Sequence, residues 1–233
     1  MKYSGIREEA CAANRMLPAS GLVSMTFGNV GVFDRDAGVF AIKPSGVDYS
    51  ELTPESMVVV DLDCRVVDGS LRPSSDTPTY AVLFREFGVP AAVHTHSAHA
   101  TVFAQAGMPV PAFGTTHADH FHGDVPVTRR LSPREIAGDY EAETGKVIVE
   151  TFRSLGLDPS AMPAVLVCSH GPFAWGSDGK KAVMNALALE ICAEMAFKTL
   201  LVNPEAQRMQ RELLDKHYLR KHGASAYYGQ PGN

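Results

Sequence analysis

Two imidazoles, His94 and His96, leave the end of the apolar run Ala91-Ala92-Val93, and alternate residues of an extended strand share a face. A second apolar run, Ala164 to Cys168, ends beside His170 and is followed at once by Gly171 and Pro172. If the three imidazoles serve one ion, the fold has to bring two strand ends together from distant parts of the chain. With Asp76 they form a possible N3O set, which suits zinc as a closed tetrahedron or as three ligands and an open position. On spacing alone the same histidines are equally compatible with hydrogen-bonded or surface residues.

The punctuation between apolar runs predicts alternating strands and helices. An opening helix is expected from Arg7 to Leu17, ending before Pro18; strands are expected over Leu22 to Phe33, Val39 to Ile42 and Met57 to Leu62. Thr77 and Pro78 supply an N-cap and a first-turn proline for a helix through Phe87, which sets Ser74, Ser75 and Asp76 before its N-terminus. Ser97 is placed to cap a short helix through Gln105, leaving His94 and His96 at a strand-to-helix corner. Ser132, Pro133 and Glu135 form a capping-box pattern, and Gly138 and Gly145 predict a break before Phe152. Asp178 precedes a long segment, Lys180 to Val202, with Val183, Leu187, Ile191 and Met195 spaced for burial; Asn203 and Pro204 are expected to start a last helix ending near Gly223. The architecture this predicts is a sheet covered by helices on both faces, with strand direction unread.

A chain of 233 residues, 45% hydrophobic, buries a substantial core and reads as one domain over 1–233. A net charge of −5 with no long basic run argues against a nucleic-acid partner. No stretch approaches the roughly 20 apolar residues of a membrane span. Met1 to Glu9 lacks an export signal, so a cytoplasmic location is expected. Cys11, Cys64, Cys168 and Cys192 are scattered and read as reduced thiols.

Gly28-Asn29, the run Lys43-Pro44-Ser45-Gly46, and Ser74-Ser75 offer amides, hydroxyls and one cation to a phosphate, although each alone is also ordinary turn chemistry. Asp119, in Thr115-Thr116-His117-Ala118-Asp119-His120-Phe121-His122, is a candidate general acid/base or a turn aspartate. Glu141, His217 and Tyr228 are similarly open: His217 follows Met209 and Leu213 at helical spacing, where packing is the default, and Tyr228 lies near the chain end.

Several longer runs are more specific. Phe27-Gly28-Asn29-Val30, Ile42-Lys43-Pro44-Ser45-Gly46-Val47-Asp48-Tyr49, Pro73-Ser74-Ser75-Asp76-Thr77-Pro78-Thr79 and His94-Thr95-His96-Ser97 come first. Gly114 to Asp119, Ser169-His170-Gly171-Pro172-Phe173-Ala174-Trp175-Gly176 and Leu214 to Gly223 follow in order. Together they resemble the L-ribulose-5-phosphate 4-epimerase family, a branch of the class II aldolase superfamily, over roughly Leu17 to Gln230. The resemblance implies an α/β three-layer sandwich with a central, mostly antiparallel sheet flanked by helices, assembled as a homotetramer with sites between neighbouring subunits. It implies Zn2+, or another divalent transition metal, on Asp76, His94, His96 and His170. Gly28, Asn29, Ser45, Gly46, Ser74 and Ser75, with Lys43 close by, match phosphate positions. Asp119 and Tyr228 match a proton-transfer pair, Tyr228 reaching from a C-terminal tail (about 224–233) into a neighbour's site, and His217, Glu141 and Thr115 match supporting positions. His120 and His122 flank Asp119 and bear on its acidity with a sign the sequence does not give. The implied reaction interconverts L-ribulose 5-phosphate and D-xylulose 5-phosphate by retro-aldol/aldol chemistry, as in arabinose catabolism. The alternatives are a class II aldolase of the L-fuculose-phosphate type, or a non-catalytic metal- and sugar-phosphate-binding protein.

Overall fold

Runs of Val, Ile and Ala too short for helices become strands: β1 (Asn29–Asp34), β2 (Val39–Ile42), β3 (Val58–Asp61), β4 (Val66–Asp68), β5 (Ala91–His94), β6 (Ala164–Val167) and β7 (Gly171–Gly176). They form one sheet in the order β4-β3-β2-β1-β5-β7-β6, and every neighbouring pair runs antiparallel. This is a computed structural model that describes residues 1–223 and 226–227. The helices are α1 (Ser4–Ser20), α2 (Thr77–Phe87), α3 (Ala98–Ala106), α4 (Thr115–Ala118), α5 (Pro133–Ala137), α6 (Tyr140–Leu155), α7 (Gly179–Val202) and α8 (Arg211–His222).

The alternation of β1 shows how the layers form. Gly31 has no side chain because Tyr80 and Phe84 of α2 press against that face; a Cβ there would lie 2.9 Å from the Tyr80 ring. Val32, one residue on, faces the opposite layer: a Cβ on Gly179 of α7 would lie 3.3 Å from Val32 and 2.9 Å from Ala13 of α1. Helices α1, α3 and α7 therefore cover one face and α2 and α6 the other, with the sheet between, as the family resemblance implies. Buried residues from all three layers join in one hydrophobic cluster. Asn14 is one of the buried polar residues: its side-chain amide bonds the backbone N–H and C=O of Val30 at 2.9 and 2.8 Å, tying α1 to the central strand.

Several expectations are corrected. Helix α1 passes through Pro18 and stops at Gly21, whose left-handed backbone returns its N–H to the Pro18 carbonyl. Strand β1 begins only at Asn29, so 22–28 is a loop. Gly138 does break α5 from α6, but α6 runs through Gly145 because α2 crosses there: a Cβ would sit 2.7 Å from that of Val82. The last helix starts at Arg211, and Asn203 only closes a turn through its bond from the Glu205 N–H. Ile191 and Met195 of α7 are 39% and 51% exposed; the buried side is the one bearing Ala182, Ala186, Leu189, Ala193 and Ala196. This helix is apolar nearly all round, so periodicity alone does not separate its faces. Ser97 precedes α3 without capping it; the Glu190 carboxylate from α7 takes the His99 and Ala100 N–H groups at 2.8 and 3.0 Å. All four cysteines are free thiols, as expected.

Candidate active site

Strand β5 ends on His94, and the hairpin joining β6 to β7 carries His170 up to the same edge. That hairpin turns through Ser169 in a left-handed conformation, φ 62°, which β-carbon sterics disfavour. Gly171 then lets β7 lie against β5: a Cβ there would be 2.9 Å from the Thr95 carbonyl oxygen. The result is that ligand atoms of His94, His96 and His170 all lie within 4.8 Å of one another.

Each imidazole is prepared for a cation. His94 Nδ1 sits 2.9 Å from the Pro172 carbonyl, which can only accept, so this nitrogen carries the proton and Nε2 presents a lone pair. Phe173 stacks on the His94 ring at 4.2 Å and fixes its plane. The Nε2 atoms of His94 and His96 face each other at 3.0 Å, near the roughly 3.3 Å that two ligands of one tetrahedral zinc would keep. Burial, then His94 and His96, pushes His170 down to about 4. Burial and His94 also lower His96, against the opposing charge of Asp76. Both are therefore neutral and ligand-competent near pH 7, and three ligands leave one coordination position for a substrate oxygen. The donor set fits a zinc-like divalent ion.

The histidines line a cavity of about 420 Å³. The same wall carries Gly28, Asn29, Lys43, Ser45, Gly46, Ser74 and Ser75, all of the expected phosphate positions. They meet because Ser74 N–H bonds the Lys43 carbonyl and Ser45 N–H the Arg72 carbonyl, bridging two loops ahead of α2. Gly28 belongs there through close approach: at φ 101°, a Cβ would lie 2.8 Å from the His94 carbonyl oxygen. Lys43 is only 3% exposed, with its ammonium 3.3 Å from the Pro44 carbonyl and 5.0 Å above the Tyr49 ring. Burial lowers its pKa, with Asp48 opposing.

Asp76 lines the same cavity, its Oδ2 accepting from Asn29 Nδ2 at 2.7 Å, but it stands outside the convergent histidine set. Glu141 also lines the wall, with its carbonyl held by Thr79 Oγ1. Two further wall residues carry no sequence signal of their own. Tyr140, whose hydroxyl is 3.4 Å from His170 Nδ1, betrays itself only by preceding Glu141; Phe27 betrays itself only by preceding Gly28.

Thr115, Asp119 and His217 are not in this cavity. They group where α4 meets α8: His217 Nδ1 lies 3.1 Å from Asp119 Oδ1, Arg220 donates to both carboxylate oxygens at 3.0 and 2.9 Å, and Lys221 stands at 3.4 Å. The Asp119 N–H bonds the Thr115 carbonyl at 3.0 Å. Burial raises the Asp119 pKa, but the Arg220 and His217 hydrogen bonds and the Lys221 charge outweigh it and leave it below its ordinary value. His120 is pushed down to about 4, by burial and then Lys221 and Lys181, and His122 bonds Asp215 at 2.7 Å, so neither flanking histidine drives that shift. His217 is thus a hydrogen-bond partner of Asp119 and not the packed histidine its spacing suggests. Tyr228 lies outside the described residues.

The family described as "Class II Aldolase and Adducin N-terminal domain" matches residues 8–197. A protein of Salmonella paratyphi C (strain RKS4594) named L-ribulose-5-phosphate 4-epimerase UlaF is 49% identical over 226 residues, 97% of this chain and 98% of its own. Among solved structures, an L-fuculose 1-phosphate aldolase superposes with a TM-score of 0.79 at 25% identity, covering 95% of this chain and 98% of that one. YgbL of Klebsiella pneumoniae, titled a putative aldolase/epimerase/decarboxylase, has the same fold, with a TM-score of 0.72 at 24% identity over 93% of this chain and 99% of its own.

Proposed function

The chain belongs to the class II aldolase family, and from that premise we propose that it is a metal-dependent 4-epimerase interconverting L-ribulose 5-phosphate and D-xylulose 5-phosphate. One observation carries the reading: an imidazole triad and a set of phosphate-binding candidates line a single cavity, in a chain half identical to a curated 4-epimerase along nearly its whole length.

The stereocentre at C4 is not adjacent to the C2 carbonyl, so removing its proton would leave an unstabilised carbanion. Breaking C3–C4 avoids this: the electron pair stays on C3 as an enediolate, and C4 becomes an aldehyde. The divalent ion, when bound, supplies a Lewis acid for the ketose oxygens. His94, His96 and His170 hold that ion, with Asp76 beside them adding negative charge. Lys43, Asn29, Ser45, Ser74 and Ser75 anchor the phosphate end, so the aldehyde turns about a fixed point and is re-attacked on its other face. Proton transfer at the C4 oxygen falls to Asp119 and Tyr228, assisted by His217, Glu141 and Thr115. Because the Asp119 group lies outside its own chain's cavity, a neighbouring copy delivers it, together with Tyr228 from that copy's C-terminal tail. In this reading the protein is a single-domain homotetramer, its ion is zinc by the preference of three imidazoles, and it works in the cytoplasm in pentose catabolism of the arabinose type. No described helix is long and apolar enough to cross a membrane.

Metal-replete protein given L-ribulose 5-phosphate is expected to form D-xylulose 5-phosphate, and chelator-stripped protein to keep its circular dichroism and lose turnover. Free dihydroxyacetone and glycolaldehyde phosphate in place of the epimer would assign the aldolase alternative. Binding without any turnover would reduce the protein to a metal- and sugar-phosphate-binding one.

A further inference from the structure

The geometry points to Phe27 as the wall that keeps the cleaved aldehyde in the cavity, and so as the residue that sets epimerisation against release of fragments. The inference rests on the epimerase reading. Retro-aldol cleavage leaves two separate molecules in the site. The C3–C4 electron pair remains on C3, the C4 hydroxyl gives up its proton, and C4–O becomes a carbonyl; recombination reverses each change on the opposite face. Whether the enzyme epimerises or acts as an aldolase depends on whether the aldehyde leaves before it turns.

Phe27 stands where that choice is made. The cavity wall is otherwise built of polar side chains and glycines, apart from Pro44. Phe27 lines the cavity with its ring stacked on His96 at 6.1 Å and 29°, and it directly precedes Gly28 of the phosphate cradle. A ligand held by both the histidines and the cradle is brought against that ring. Phe27 is 52% exposed and so open to a ligand in the cavity. Its backbone is held firmly. The Tyr49 hydroxyl donates to the Phe27 and Gly28 carbonyls at 3.1 and 2.7 Å, and Gly28 is pressed against the His94 and Thr95 backbone. Phe27 is therefore a fixed hydrocarbon face over the carbon skeleton of the substrate. It offers no hydrogen bond to help water or the carbonyl exchange places, and it narrows the path out.

The test is a ratio. Metal-replete full-length protein receives L-ribulose 5-phosphate, and D-xylulose 5-phosphate is measured together with free dihydroxyacetone, read by its enzymatic reduction, and glycolaldehyde phosphate, trapped as a hydrazone. For Phe27→Ala, the ratio of fragments to epimer is expected to rise roughly tenfold over wild type, the factor that about 1.4 kcal/mol of lost retention gives. Bound metal should stay equal, Phe27→Leu should fall between, and Phe27→Trp should restore the wild-type ratio. If both products fall in proportion, or the ratio stays unchanged, the inference is overturned while the epimerase reading stands. If wild type itself makes no epimer, that reading fails and takes this inference with it. Should Phe27→Ala not fold, the ratio in Phe27→Leu decides.

Discussion

Lys43 shows how a single residue trades stability for function. Its ammonium is almost sealed from water beside a carbonyl and an aromatic face, and burial lowers its pKa against the opposing charge of Asp48, which means the folded chain disfavours the charge it keeps. Lys43→Met retains the buried stem and removes the cation. Thermal unfolding of Lys43→Met is expected to occur at or above the wild-type temperature, while KM for the phosphorylated substrate rises by about tenfold to a hundredfold, the worth of one charge-assisted hydrogen bond. A lower melting temperature with unchanged KM would show that the charge supports the fold instead. Lys43 was legible in the sequence through its neighbours Pro44, Ser45 and Gly46. Phe27, Tyr49 and Tyr140 were not, because nothing local marks them: each matters through what a distant segment presses against it, as Tyr49 does by bridging two carbonyls 22 and 21 residues away.

Among the elements, α3 borrows its N-terminal cap from another helix. Its expected cap, Ser97, makes no capping bond, and its first amides are taken by Glu190 from the middle of α7. The two helices thus share one carboxylate, which also sits 2.9 Å from His99 Nδ1. Glu190→Ala is expected to cost about 1–2 kcal/mol, read as a lower denaturant midpoint, since it removes a cap and the hydrogen bond to His99 together. Ser97→Ala should cost far less; the reverse order would restore the cap to Ser97. Sequence patterns found α2, α3, β2 and β3 nearly to the residue, because proline, glycine and apolar runs are local signals. They missed β7, whose opening Gly-Pro reads as a turn and becomes a strand only because β5 and β6 pair with it on both sides. They also misjudged α7, whose alanine side is chosen by the sheet and not by any contrast within the helix.

At the scale of the molecule, the expected site divides into two groups that one chain does not bring together. The imidazole triad and phosphate cradle share a cavity; Asp119, His217 and Thr115 form a second group at the α4–α8 contact. A shared site makes a clear prediction. His96→Asn chains lack a metal ligand but carry Asp119, and Asp119→Asn chains have the opposite defect. Each alone is expected to be inactive, and oligomers reassembled from a mixture should recover a fraction of wild-type turnover, because some neighbouring pairs then hold both halves intact. Mixed oligomers that stay inactive would mean that both groups must come from one chain. The sequence showed both groups through the family resemblance, yet neither the distance between them nor the ion pairs around Asp119 can be read from spacing, since they arise from where α8 packs.

The union of β5 with β7 has a further consequence in time. His94 meets the Pro172 carbonyl across 78 residues of chain, so the third imidazole is synthesised long after the first two and joins them only when the sheet zips shut. A ribosome must release the chain past Gly176 before the trap for the ion exists, and metallation therefore waits for the late stages of folding.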